Sequence, residues 1–339
     1  MERGVLFDGQ PDWLAHTLAT VDHSCAEAST ILPGGRLVRQ GTGLLQFEPG
    51  QPVNGAPALL LSAGVHGNET APIELLNRLV DNITTGVLRP RIPLLFMLGN
   101  PPAMVAAQRF VEHNLNRLFQ GAWKDYPDGY ETRRAAQLEA TCQAFRDRHP
   151  GPLRHYDLHT AIRPSRREKF ALYPFVEGRQ VPGTELAFLT EAGIGTLLLQ
   201  HQTATTFSSF TSESLGAESF TLELGKVHPF GQNDPQTIAK LEKALIRLVQ
   251  AQPAPDIATD QLPETFEVVH EILNTGEHFR FHIADDVANF TEYPPGTLIW
   301  EDDTTEYRVG PEPEAIIFPN PKVPVGHRVG LMVRQRFGE

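Results

Sequence analysis

Between residues 58 and 224, short apolar runs alternate with stretches whose apolar residues recur every three or four positions. The run Ala58-Leu59-Leu60-Leu61 is apolar throughout, the pattern of a strand covered on both faces. Residues 71–83 carry Ile73, Leu76, Val80 and Ile83 on one helical face, and residues 93–99 form a second apolar strand. The following Asn100-Pro101-Pro102 is expected to continue neither helix nor ladder easily. An amphipathic helix is predicted over 131–148, stopped by Pro150-Gly151-Pro152. Residues 153–159, 170–175, 196–201 and 219–224 read as further strands, with a helix over 185–192 between two of them. Asp234-Pro235 caps a long helix with Ile238, Leu241, Leu245, Leu248 and Val249 at helical spacing. Ahead of all this lie a short helix over 12–20 and two strands within 36–47, around Gly41 and Gly43. Strands alternating with helices predict an α/β fold, a mostly parallel or mixed sheet flanked by helices.

After residue 252 the pattern changes. Residues 252–264 are a Pro- and Asp-containing linker without periodicity. Beyond it no helix is predicted, only short strands at 266–272, 278–283, 298–301, 315–318 and 328–333, punctuated by Gly276, Pro294-Pro295-Gly296 and Pro319-Asn320-Pro321. The expected organisation is a catalytic α/β domain over 1–252 and a smaller all-β domain over 265–339.

Composition narrows the partners. The net charge of −12 argues against nucleic acid and anionic membrane, and an anionic substrate would need local arginines to reverse the overall field. No apolar run approaches the ~20 residues of a membrane span. Residues 1–8 lack the apolar stretch of a secretory signal, and two cysteines, Cys25 and Cys142, fit a reducing cytosol, so a cytoplasmic location is expected. Whether the chain forms a homo-oligomer is left open.

The candidate chemistry begins in the turn after the first apolar strand, Gly64-Val65-His66-Gly67-Asn68-Glu69. An imidazole and a carboxylate three apart can close on one cation, although a glutamate at a helix start often only complements the helix dipole. A His₂Glu set needs one more nitrogen, and His159, ending another strand, would lie on the same rim. Asp157 shares that strand face; whether it reaches a ligand is open. Glu223 stands among apolar residues at a strand end, where a carboxylate is costly unless paired or metal-associated. A salt bridge to Lys226 is the plain alternative; a general base beside a metal is the better reading.

The ordered set Gly64-Val65-His66-Gly67-Asn68-Glu69, Asn114-Leu115-Asn116-Arg117, Asp157-Leu158-His159-Thr160 and Leu222-Glu223-Leu224-Gly225 resembles the succinylglutamate desuccinylase and aspartoacylase family of zinc carboxypeptidase-like amidohydrolases. The resemblance implies an α/β domain followed by a small β-rich one. It implies one Zn²⁺ per chain on His66, Glu69 and His159, with Glu223 as general base. It further implies that Arg109 polarises the scissile carbonyl, and that Asn116 and Arg117 grip the α-carboxylate of a small anionic N-acyl amino acid. A long segment before the first zinc strand, and Thr160-Ala161-Ile162-Arg163 after His159, resemble the desuccinylase branch. That branch implies cleavage of N-succinyl-L-glutamate to succinate and L-glutamate in arginine breakdown. Arg163 is then an attractive partner for the distal succinyl carboxylate, with Arg166, Arg167 and Lys169 as substitutes. The competing readings are deacylation of another N-acyl amino acid, a peptidase, and a non-catalytic binder of metal or acyl amino acid. No residue of the β-rich part is assigned.

Overall fold

The computed structural model describes residues 6–21 and 25–336. Residues 1–5, on which the reading of a missing secretory signal largely rests, and 337–339 of the expected β domain lie outside the described residues. The first element that lies wholly within the described residues is α1 (Trp13–Ala19), capped by Asp12, whose carboxylate accepts from Ala15 N at 2.8 Å. A meander follows, β1 (Ala28–Leu32), β2 (Gly35–Gly41) and β3 (Leu44–Pro49). Next come β4 (Ala58–Ala63), α2 (Thr70–Thr84), β5 (Leu94–Leu98), α3 (Pro101–Val105), α4 (Tyr130–Arg148), β6 (Leu153–Ala161) and β7 (Lys169–Tyr173). The α/β part closes with α5 (Gly183–Glu191), β8 (Thr196–Leu199), α6 (Phe207–Ser214), β9 (Glu218–Lys226) and α7 (Ala239–Val249).

The unbroken apolar run of β4 is explained by what lies on its two sides. Leu59, Leu61 and Ala63 join the core packed by α2, α5 and α7, while Ala58 and Leu60 join a second core packed by α4 and α6. β5 divides in the same way, Leu94, Phe96 and Leu98 to one face and Leu95 and Met97 to the other. β5, β4, β6 and β9 are parallel neighbours in that order, and β3 and β7 run antiparallel to their ends. The sheet is therefore mixed, with the parallel strands at its centre.

Three helical features differ from the sequence expectation. Asn100-Pro101-Pro102 starts a helix: Asn100 caps α3, and the prolines occupy its first turn, where a missing N–H costs nothing. The expectation applied the proline rule for helix interiors to a helix start. α6 is absent from the sequence reading because its serines and threonines blur the apolar period, yet six of its eight residues are buried. The helix expected after Asp234-Pro235 begins with a 3-10 turn, Pro235–Ile238, before α7.

From Glu264 onward the described chain is strand and loop: β10 (Glu264–Leu273), β11 (Arg280–Phe281), β12 (Thr291–Tyr293), β13 (Leu298–Glu301), β14 (Glu306–Arg308), β15 (Glu314–Ile317) and β16 (Arg328–Arg336). β10 lies parallel to β8, so the large sheet runs on through β10, β16, β15 and β12, while β11, β13 and β14 form a small second sheet. Phe170 and Leu198 of β7 and β8 share a core with Phe266, Phe290 and Leu331. The C-terminal antiparallel β domain thus covers what would otherwise be an apolar sheet edge. Buried Asn289 fastens it near the end of β6, donating its N–H to Pro164 O and accepting from Arg166 N, both at 2.9 Å. No helix among the described residues is long and apolar enough to cross a membrane.

Candidate active site

His66 and Glu69 sit in the turn between β4 and α2, at the carboxyl edge of the central strands. Gly64 takes φ +65°, a conformation costly for a side chain. At Gly67 a Cβ would come within 2.1 Å of the Ala103 carbonyl carbon, because the turn lies directly on α3. Gly67→Ala is expected to destabilise the fold by ~1–3 kcal/mol, as overpacking does, and to weaken any metal binding by moving the two flanking candidate ligands, His66 and Glu69. Normal melting and normal zinc content in that variant would contradict this close packing.

The register of the sheet brings the distant residues in. His159 is the Cα partner of Glu223 across β6 and β9, and Leu158 of Ala63 across β6 and β4. Glu69 Oε1 meets His66 Nδ1 at 2.9 Å, and Glu69 Oε2 meets His159 Nδ1 at 2.9 Å. All three donor atoms lie within 4.8 Å of one another, compared with about 3.3 Å between neighbouring ligands on tetrahedral zinc. The remaining Glu69 contacts are Arg109 Nη1 at 2.9 Å and Thr160 N at 3.0 Å.

This trio fits a cation. His66 Nδ1 is buried and has no hydrogen-bond partner of adequate geometry, while its Nε2 is held by Asn114 Oδ1 at 3.0 Å. His159 is held in the same sense, Nε2 to Asp157 Oδ2 at 2.9 Å. Each ring therefore offers Nδ1 to the centre and rests its other nitrogen on an acceptor, the arrangement usual for metal-binding histidines. Burial pushes the Glu69 carboxyl up, but His66 and His159 outweigh it and hold it well below the usual range. Burial lowers His159, yet Asp157 and Glu69 hold it well above an ordinary imidazole. Burial leaves His66 lowered, against the pull of Glu69. In the metal-free chain a proton on His159 stands where positive charge is wanted.

Glu223 has no ion pair among the described residues, and its Oε2 is buried without a partner, so the Lys226 alternative is not realised. Burial, reinforced by Glu69, pushes its pKa up to about 7 against the opposing charges of His159 and Arg109. Buried Asn116 spends its Oδ1 on Phe207 N at 2.9 Å, which leaves its Nδ2 as a donor. Arg117 is open to solvent but hemmed in by protein, and that desolvation, with the like charges of Arg328 and Arg109, lowers its pKa to about 10. It remains a cation. Arg163 stands apart: it is half-buried, and its Nη1 donates to Asp285 O at 2.5 Å.

Several contributors escaped the sequence reading. Asn114 orients His66. Glu131 Oε1 accepts from Asn100 Nδ2 at 3.1 Å and Val111 N at 2.7 Å, folding the loop that carries Arg109 to Arg117. Arg328, from β16, is the β-domain's cation near Arg117. Asn114 stood inside a quoted motif, whereas nothing local marks Arg328.

A mixed α/β sheet with two histidines and a glutamate converging at its carboxyl edge defines the zinc carboxypeptidase-like hydrolases. Within that class the chain belongs to the succinylglutamate desuccinylase/aspartoacylase family: residues 55–249 match its catalytic domain and residues 261–336 match the AstE/AspA barrel-sandwich hybrid domain. It is 46% identical over 321 residues to a succinylglutamate desuccinylase of Pseudomonas putida, covering 93% of this chain and 95% of that one. It is 49% identical over 303 residues to that of Pseudomonas paraeruginosa, covering 88% and 91%. The solved succinylglutamate desuccinylase structure from Vibrio parahaemolyticus superposes with a TM-score of 0.89 at 30% identity, covering 97% of each chain. That from Chromobacterium violaceum gives 0.85 at 39%, covering 97% and 98%.

Proposed function

We propose that this chain hydrolyses the amide bond of N-succinyl-L-glutamate, releasing succinate and L-glutamate, with one zinc ion on His66, Glu69 and His159. The observation that carries the reading is the unpartnered Glu223 carboxylate oxygen beside three converging metal donors. Pure binding would give no reason to keep a desolvated, unpaired carboxylate there. Metal analysis joined to a succinylglutamate hydrolysis assay tests it: a zinc-loaded chain that leaves this substrate intact would refute the activity.

Zinc bound at this site would lower the pKa of a water toward ~7 and polarise the substrate carbonyl. Glu223 takes the proton of the attacking water, its carboxyl raised by burial above the ordinary range toward the basicity such a step needs. Arg109, beside Glu69, donates to the oxygen on which negative charge develops. Protonated Glu223 then returns the proton to the departing glutamate nitrogen.

The substrate carries three carboxylates, and the arginines divide them. Arg117 and Asn116 take the α-carboxylate, the guanidinium offering a planar fork and the amide a neutral donor. Arg328, whose positive charge is felt at Arg117, takes the glutamate side-chain carboxylate. Arg163 takes the distal succinyl carboxylate, for which it must leave the single carbonyl it now holds. Each charge-assisted contact is worth ~1.5–3 kcal/mol, so Arg163→Ala should lose ~10–100-fold in kcat/KM on N-succinylglutamate and little on N-acetylglutamate. Equal losses on both substrates would remove Arg163 from this role. Arg328→Ala should lose as much on N-succinylglutamate and little on N-succinylalanine.

A further inference from the structure

One buried polar row lies outside the mechanism. Along β6, His155, Asp157 and His159 point to the same face, and none is more than 2% exposed. Asp157 Oδ2 holds His159 Nε2 at 2.9 Å, and Asp157 Oδ1 accepts from Ser62 Oγ at 2.6 Å. Ser62 Oγ lies 2.8 Å from His155 Nε2, His155 Nδ1 lies 2.8 Å from Thr211 Oγ1, and Thr211 Oγ1 lies 2.9 Å from Ser219 Oγ. The row thus crosses β9, α6, β6 and β4 before it returns to the metal donors. Phe207 packs edge-on against the His155 ring, with centroids 4.8 Å apart.

A single charge orders every proton in this row. Ionised Asp157 only accepts, so His159 Nε2–H and Ser62 Oγ–H both donate to it. Ser62 must then accept from His155 Nε2–H. Burial lowers the His155 pKa to about 4, so that ring is neutral and its Nδ1 accepts from Thr211, which in turn accepts from Ser219. The chain of donors points one way, toward the metal donors, and every ring nitrogen in it is satisfied. Fully satisfied buried networks of this kind fix geometry more than they add stability.

We propose that His155 is a positioning residue for the metal site, acting through Ser62 and Asp157 to hold His159 with Nδ1 turned to the metal. The inference rests on the zinc reading above and extends it to residues that touch neither metal nor substrate. Ser62 sets the plane of the Asp157 carboxylate, and His155 keeps the Ser62 hydroxyl hydrogen directed at that carboxylate. Without them Asp157 is free to turn, and the His159 ring loses its aim.

The test is zinc affinity, measured by chelator competition on full-length protein, beside the melting of each metal-free variant. Ser62→Ala and His155→Leu are each expected to bind zinc ~10-fold more weakly, the lower end for partners that orient metal ligands. His155→Gln, whose amide still donates to Ser62 and accepts from Thr211, is expected to bind nearly as the unaltered chain does. Unchanged affinity in Ser62→Ala and His155→Leu would overturn the proposal. So would equal weakening in His155→Gln and His155→Leu, which would make packing the cause. If His155→Leu fails to fold, Ser62→Ala, lacking one oxygen, decides alone. An unaltered chain that binds no zinc would overturn the metal reading and this inference together. Zinc binding abolished by Glu69→Gln but untouched by Ser62→Ala would overturn this inference only.

Discussion

Glu223→Gln is expected to lose at least ~10²-fold in kcat while holding zinc as the unaltered chain does, since positioned acid–base catalysis contributes on that scale. The amide is nearly isosteric and cannot accept a proton, and none of the three proposed ligands is altered. The direction of the pH dependence follows from the raised pKa of about 7. A raised carboxyl favours its neutral form in the folded chain, so Glu223 costs nothing in stability below its ordinary pKa of 4.5. Its ionisation penalty grows as pH rises toward 7. Activity runs the opposite way and rises with pH as the base ionises. Bound zinc adds positive charge nearby and shifts that limb to lower pH. Glu223→Gln should therefore abolish the acidic limb of kcat/KM and, in the metal-free state, melt higher than the unaltered chain above pH 7. Near-normal turnover in the variant would remove Glu223 from the mechanism.

Glu69→Gln, or stripping the metal, should cost ~10³-fold or more in activity, because several kcal/mol of charge stabilisation go with the ion. Glu69 is the one group that both histidines, Arg109 and Thr160 N share, so no neighbour replaces it. In the metal-free chain its depressed pKa gives stability that is complete above pH 4.5 and lost as pH falls through the folded value. The raised His159 gives stability that is complete below pH 6.5 and lost as pH rises through its folded value. These two contributions are together complete between about pH 4.5 and 6.5, and Glu69→Gln should flatten that part of the metal-free stability profile. Zinc must displace the His159 proton, so calorimetry in buffers of different ionisation enthalpy should register proton release below the His159 pKa. Binding without proton release would contradict the protonated ring inferred for the metal-free site.

Much of this site was legible because its residues stand at ends of strands whose apolar runs are easy to see. His66, His159 and Glu223 each follow such a run, and the register across β4, β6 and β9 then brings them together. What stayed hidden depends on which strands become neighbours. Ser62 and His155 are 93 residues apart, and their bond follows from β4 lying beside β6, an order no periodicity encodes. The charge of Arg328 is felt at Arg117 because β10 of the β-domain pairs with β8 of the α/β sheet. α6 was lost for a local reason: its serines and threonines satisfy one another and β9 in a polar interior, as Ser208 Oγ does with Thr221 Oγ1 at 2.7 Å.

The order of strands also has a kinetic side. β4 must pair with β6, and β6 with β9, before the proposed donors from residues 66, 69 and 159 face the proposed base at 223, so the centre rests on contacts of long sequence separation. Such pairings carry a large loop-closure cost and form late in folding. A nascent chain that has emerged only as far as α4 presents His66 and Glu69 without their third partner, and it should hold zinc weakly if at all. On the proposed zinc reading, metal capture marks the end of assembly, and the rate at which zinc is trapped during refolding becomes a clock for completion of the central sheet.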